Sequence, residues 1–145
     1  MEKKAIEYNI TATRHDFETA TIRSSEDAVN FARNFYHDDI VIYESAFIIL
    51  TNSAGHAIGY AKISQGGVCG TIVDTRIVAK YAIDSLAAGV LFLHNHPSGN
   101  TQPSAEDRRL SEKLREGLSL FDIRLLDSII ITEDSYLSMA DEGII

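Results

Sequence analysis

The stretch His94-Asn95-His96-Pro97-Ser98-Gly99-Asn100-Thr101-Gln102-Pro103-Ser104-Ala105-Glu106-Asp107 gathers two imidazoles, hydroxyls and carboxylates into one short segment. It follows residues 90–93 (VLFL), a wholly apolar run of the kind expected for a central strand covered on both faces. Side chains on a strand repeat every second residue, so a strand continuing through His96 puts both imidazoles on one face, where they can grip one metal ion. Asp107 can return from the following helix as a third ligand. Two His and one carboxylate leave the fourth position of a tetrahedral zinc open, which is the arrangement of a catalytic site and not of a closed structural one. Water in that position has its pKa lowered to about 7, and the missing component is then a carboxylate base.

Glu44 is the candidate for that base. The sequence places it in the middle of a strand-like run, between Ile40, Val41, Ile42 and Phe47, Ile48, Ile49, where an unpaired carboxylate is costly to bury. Each feature has a plainer alternative. Ser104 and Asp107, spaced S-x-x-D, also fit a helix N-cap and its reciprocal partner. His94 and His96 alone also suit a polar loop entrance, and Glu44 alone a solvent-facing position. The combination carries the argument.

That combination resembles the JAMM metalloproteases of the JAB/MPN class, whose motif is an upstream Glu followed by H-x-H-x7-S-x2-D. The resemblance implies Glu44 as general base, His94, His96 and Asp107 as ligands of Zn2+, and Ser104 as the residue that steadies the tetrahedral intermediate. The reaction it implies is hydrolysis of a peptide or isopeptide bond in a peptide or protein substrate. His94 to Gly99 (HNHPSG), residues 103–107 (PSAED) and Leu125-Leu126-Asp127 further resemble the C-terminal domain of bacterial RadC-like proteins, over roughly residues 40 to 140. The chain departs from that pattern in two places. No helix-hairpin-helix module precedes the motif, and that module is the part that would contact DNA. Ser128 stands where relatives often place a His after the Asp. Asp127 could orient a zinc-bound His, or could simply be a strand residue at the end of the sheet.

Holding these groups together requires a frame. Ser24 or Ser25 can cap a helix running to about His37, with Ala28, Phe31, Ala32, Phe35 and Tyr36 as its apolar stripe. Residues 40–51 and 56–64 are strand-like around Asn52-Ser53-Ala54-Gly55, which predicts a β-hairpin. Gly66, Gly67 and Gly70 predict a loop. Asp74 or Thr75 then caps a helix through Ala88, with Ile77, Val78, Tyr81, Ala82 and Leu86 inward and Gly89 ending it. A helix over about residues 104–117 and a strand over residues 122–132 follow, and residues 5–12 (AIEYNITA) read as an edge strand. The expected fold class is α/β (α+β), a three-layer sandwich with a mixed central sheet between helices, the JAB/MPN, cytidine deaminase-like architecture.

Composition narrows the function classes. At 145 residues and 45% hydrophobic, the chain fits one compact domain over residues 1–145. Cys69 is its one cysteine, which excludes an intramolecular disulfide and a Cys-rich zinc site and fits a reduced, cytoplasmic setting. The N-terminal residues do not reach a continuous apolar stretch of signal-peptide length, and the apolar runs fall far below the roughly 18 residues of a membrane span. Thirteen Lys and Arg against 21 Asp and Glu give a charge of −8, unfavourable for autonomous DNA binding, and Arg108, Arg109, Lys113 and Arg115 read as a solvated helix face.

Three rivals follow from the same residues. A DNA-associated protein, in repair or on a mobile element, matches the RadC-like label, but the string His94-Asn95-His96 is not an HNH nuclease, which spreads its residues over a ββα unit. A zinc deaminase needs H-x-E and P-C-x-x-C, and only Cys69 is present. A non-catalytic MPN interaction module usually lacks a ligand, whereas this chain keeps them all. Two imidazoles and a carboxylate also suit several first-row metals besides zinc. His15, His37 and His56 have no metal-ligand spacing, and no residue pattern selects a scissile bond, a presenting partner or an oligomeric state.

Overall fold

The computed structural model describes residues 2–67 and 72–145. Among these are helices α1 (Ser25–Ala32), α2 (Thr75–Asp84) and α3 (Ala105–Ser119), and strands β1 (Ser45–Thr51), β2 (Ala57–Gln65), β3 (Gly89–Asn95), β4 (Arg124–Ile131) and β5 (Tyr136–Ser138). The strands form one five-stranded mixed sheet in the order β2-β1-β3-β4-β5. β1 pairs antiparallel with β2 and with β3, while β3 and β4 are parallel, joined by α3 as their crossover. The alternation of side chains divides the core into two layers. Phe47, Ile49, Leu91, Leu93, Ile129 and Ile131 pack toward α1, and Ala46, Ile48, Leu50, Val90 and Phe92 pack toward α2 and α3. The result is the expected sandwich, with β1 and β3 wholly buried because both of their faces are covered.

Several boundaries differ from the sequence reading for identifiable reasons. Residues 5–12 form no strand: Ile6, Tyr8 and Ile10 are exposed, and β-propensity without burial or a paired edge does not order a chain. Regular α1 stops at Ala32, although its stripe is buried as expected through Phe35 and Tyr36, which follow in a turn. The predicted strand over residues 40–51 begins only at Ser45, because residues Asp38–Val41 make a 3-10 turn and leave Val41 and Ile42 exposed. The β1/β2 hairpin stands, with Ala54 N–H and His56 N–H both donating to Asn52 Oδ1 in the turn.

Helix α2 is capped by Asp74 but ends at Asp84, not Ala88. Leu86, expected inward, takes a left-handed φ of 53° and is 86% exposed, and Ile77 is partly exposed as well. Gly89 opens β3 instead of ending the helix. A Cβ there would lie 2.6 Å from Thr51 Oγ1 and 2.8 Å from Leu126 Cδ1, so close strand packing, not a helix cap, demands glycine. The last predicted strand starts at Arg124, after Asp122 turns the chain with φ 58°, and the short β5 went unpredicted. Gly70 and Cys69 lie outside the described residues. No helix of the described residues is long and apolar enough to cross a membrane.

Candidate metal centre

Strand β3 brings the two imidazoles to one face. Its last residue is Asn95, but His96 N–H donates to Ile131 O at 3.2 Å, so the extended pairing with β4 persists one residue further. His94 is buried beside Phe92 on the α2/α3 side, and His96 follows on the same face. Their ring centroids are 5.0 Å apart and their Nε2 atoms 3.2 Å apart. His96 is oriented from behind: its Nδ1–H donates to Asn100 O at 2.6 Å, which fixes the tautomer and leaves Nε2 as the free donor atom.

Helix α3 supplies the carboxylate. Ser104 is its N-cap, with Ser104 Oγ accepting from Asp107 N–H at 3.0 Å and Asp107 Oδ2 accepting from Ser104 N–H at 2.8 Å. The capping box offered above as the plainer alternative is therefore present. It does not compete with the ligand reading, because the same carboxylate puts Oδ1 3.2 Å from His94 Nε2 and Oδ2 3.5 Å from His96 Nε2. Capping fixes the rotamer that aims Asp107 between the imidazoles. The next turn is tied to the sheet: Ser111 O–H reaches Asp107 O at 2.9 Å, and Ser111 Oγ lies 2.7 Å from Ser128 Oγ on β4.

His94, His96 and Asp107 thus form a group whose donor atoms lie within 4.8 Å of one another. Zinc bonded to nitrogen and oxygen at about 2.0–2.2 Å sets tetrahedral donor atoms roughly 3.3–3.5 Å apart. The two Nε2 atoms, 3.2 Å apart, and His94 Nε2 with Asp107 Oδ1, also 3.2 Å apart, match that spacing, while His96 Nε2 lies 3.5 Å from the other carboxylate oxygen, Oδ2, so the residues fit the ion.

The electrostatics follow from the crowding. Burial opposes ionisation of Asp107, but hydrogen bonds from His94 and His96, the charge of His94 and the Ser104 N–H outweigh it and hold the carboxyl well below the usual carboxylate range. His96 is raised above the ordinary histidine value by its hydrogen bond to Asp107, against desolvation, with smaller contributions from Asn100 and the Glu44 charge. In the metal-free protein, the stabilisation from His96 is complete below the unfolded value of about 6.5 and is lost as pH rises through the raised folded value. That from Asp107 is present above about 3.9 and is lost as pH falls through its depressed value. A metal must displace the His96 proton, so zinc affinity should rise with pH from the ordinary histidine value of about 6.5 upward, by up to about tenfold per unit, until the raised His96 has lost its proton. Competition with a chromophoric chelator across that range measures it, and a flat profile would contradict the raised His96.

Glu44 sits elsewhere than the sequence suggested. It is not in the middle of a strand but immediately before β1, half-buried, with its N–H donating to Gly67 O at 3.3 Å and its carbonyl accepting from Gly66 N–H at 2.8 Å. The burial penalty invoked for it is relieved because the strand starts one residue later. Ala46 faces His94 where the pairing of β1 with β3 ends, and Glu44 lies two residues before Ala46 at that end of the sheet. Its carboxylate is outside the donor group, close enough to act on the His96 charge.

Asp127 does not orient a histidine. Its carboxylate accepts from Ser138 Oγ at 2.5 Å, Ser128 N at 2.7 Å and Ala140 N at 3.0 Å, fastening the chain around β5 to β4. His94 Nδ1 is buried without a hydrogen-bond partner among the described residues. Sequence reasoning missed Asn95, Asn100 and Ser111. Ser111, four residues after Asp107 on a helix, carried a readable signal; Asn100 O is a backbone acceptor and carried none.

A model of the RadC-like JAB domain matches residues 22–144 of the chain. Among curated proteins, the chain is 37% identical over 123 residues to a UPF0758 protein of Flavobacterium johnsoniae, covering 85% of this chain and 53% of that one. It is 37% identical to a UPF0758 protein of Porphyromonas gingivalis over 70% of this chain and 45% of that one. It is also 40% identical to one of Vibrio cholerae over 66% and 60% respectively. The chain spans about half the length of the first two relatives.

Proposed function

We propose, from the premise that this chain belongs to the RadC-like JAB domain family, that it is a zinc-dependent metallohydrolase of the JAMM type acting on a peptide or isopeptide bond. The observation that carries the reading is the convergence of His94, His96 and Asp107 at separations suited to tetrahedral zinc. Zinc held there would polarise a carbonyl and make a bound water acidic. Glu44, close enough to act on the His96 charge, takes the proton of the attacking water and returns it to the leaving amine. Ser104, exposed at the lip of the site, keeps its hydroxyl hydrogen available for the developing oxyanion while its oxygen accepts from Asp107 N–H.

Ser104→Gly separates the two duties of this side chain. Glycine is an adequate N-cap, so stability should fall by only a few tenths of a kcal/mol, about, whereas loss of the oxyanion donor should lower turnover about 100-fold. Thermal unfolding and single-turnover kinetics read the two effects separately. The reading as a whole is tested with quenched linear peptides and isopeptide-linked conjugates. Cleavage should stop with a chelator and return with zinc; zinc binding without cleavage of either class would leave a metal-stabilised interaction module.

A further inference from the structure

Between the two candidate ligands lies Asn95, whose side chain points the other way, into the α1 layer, and is 0% exposed. Its polar atoms are spent on one segment. Nδ2 donates to Ile40 O at 2.7 Å and to Tyr43 O at 2.8 Å, and Oδ1 accepts from Ser45 N–H at 2.6 Å. These partners bracket Glu44. The segment is irregular, a 3-10 turn passing into β1, and cannot satisfy those groups by itself. A second buried group completes the arrangement: Tyr36 O–H donates to Ser45 O at 2.6 Å, and burial, then the nearby Glu44 and Asp39 charges, push the phenol up so that it remains a donor.

We infer that Asn95 is a positioning residue that fastens the Glu44-bearing segment to the strand carrying His94 and His96, so that base and metal ligands are held in one register. The inference rests on the hydrolase reading for its functional half. Its structural half stands independently: the residue between His94 and His96 supplies both donors and the acceptor that fix residues 40–45. Displacing a reacting group by about 1 Å can lower a rate about 100-fold, so a clamp of this kind acts on turnover without touching substrate.

The test compares Asn95→Ser and Asn95→Ala with Ile129→Val, which perturbs the same core layer but leaves the Asn95 hydrogen bonds to the segment in place. Hydrogen exchange is followed with and without zinc. In the Asn95 variants, exchange over residues 40–45 should accelerate about tenfold or more while β3 and β4 change no more than in Ile129→Val. Zinc affinity should stay within about twofold of the parent. On a substrate cleaved by the parent, kcat should fall about 100-fold at constant KM. In a Glu44→Gln background the Asn95 substitution should add nothing, because it acts only through Glu44. Exchange spread evenly over the sheet, or a loss that multiplies with that of Glu44→Gln, would overturn the inference. If both Asn95 variants fail to fold, exchange in the parent decides: residues 40–45 should be protected like β3, and loop-like rates there refute the clamp. Failure of the parent to bind zinc would sink the hydrolase reading while leaving the exchange result in force.

Discussion

Glu44→Gln is expected to bind zinc as the parent does and to lower turnover about 1,000-fold, the middle of the range for removing a general base. The reason for an intact metal site lies in the backbone. Glu44 is held by its own N–H and carbonyl to Gly67 and Gly66, so an isosteric amide leaves the segment where it is. The side chain is not a member of the His94, His96 and Asp107 donor group. What the variant loses is proton-accepting capacity near His96. Zinc stoichiometry by elemental analysis and kcat on a cleavable peptide check the two halves. Parent-like turnover would remove Glu44 from the mechanism, and loss of zinc would make it a ligand.

Asp107→Asn should have the opposite signature. The amide is nearly isosteric and its oxygen can still accept from Ser104 N–H, so the first turn of α3 survives. The anionic donor between His94 and His96 does not. If a zinc site worth about 10 kcal/mol or more divides that free energy among its protein ligands, losing one removes about 3 kcal/mol, or over about 100-fold in affinity. The substitution also withdraws the group that chiefly raises His96, so the His96 titration followed by NMR in the metal-free protein should move toward the ordinary histidine range. Calorimetric zinc titration measures the first effect. Unchanged affinity together with unchanged His96 titration would show that Asp107 is only a cap.

These expectations rest on a candidate site whose grouping of residues was largely legible before the fold. His94, His96, Ser104 and Asp107 are close in sequence, and their placement follows from local rules: a period of two on β3 and a capping box on α3. The layer order was legible for a similar reason, since residues 90–93 are apolar at every position and only a strand covered on both faces tolerates that. Long-range facts were not. The strand carrying Phe47 to Ile49 starts at Ser45 because Asn95, 50 positions away, satisfies Ser45 N–H, and no window around Glu44 contains that partner. Leu86 reads as the inward face of a helix by spacing, but the chain must turn early to let Gly89 pass closely by Thr51 and Leu126. Asp127 has the right type and neighbourhood to support a histidine. It is taken instead by Ser138, at the end of the short strand β5, and by Ala140 just beyond it, and β5 has too few positions to announce itself.

The central claim is that His94, His96 and Asp107 hold a metal ion, and it is tested most directly by elemental analysis of protein purified without added metal, parent beside His94→Ala/His96→Ala. The account predicts about one zinc per chain in the parent and none in the double variant. No metal in the parent, even after incubation with zinc, or equal zinc in both proteins, would contradict it.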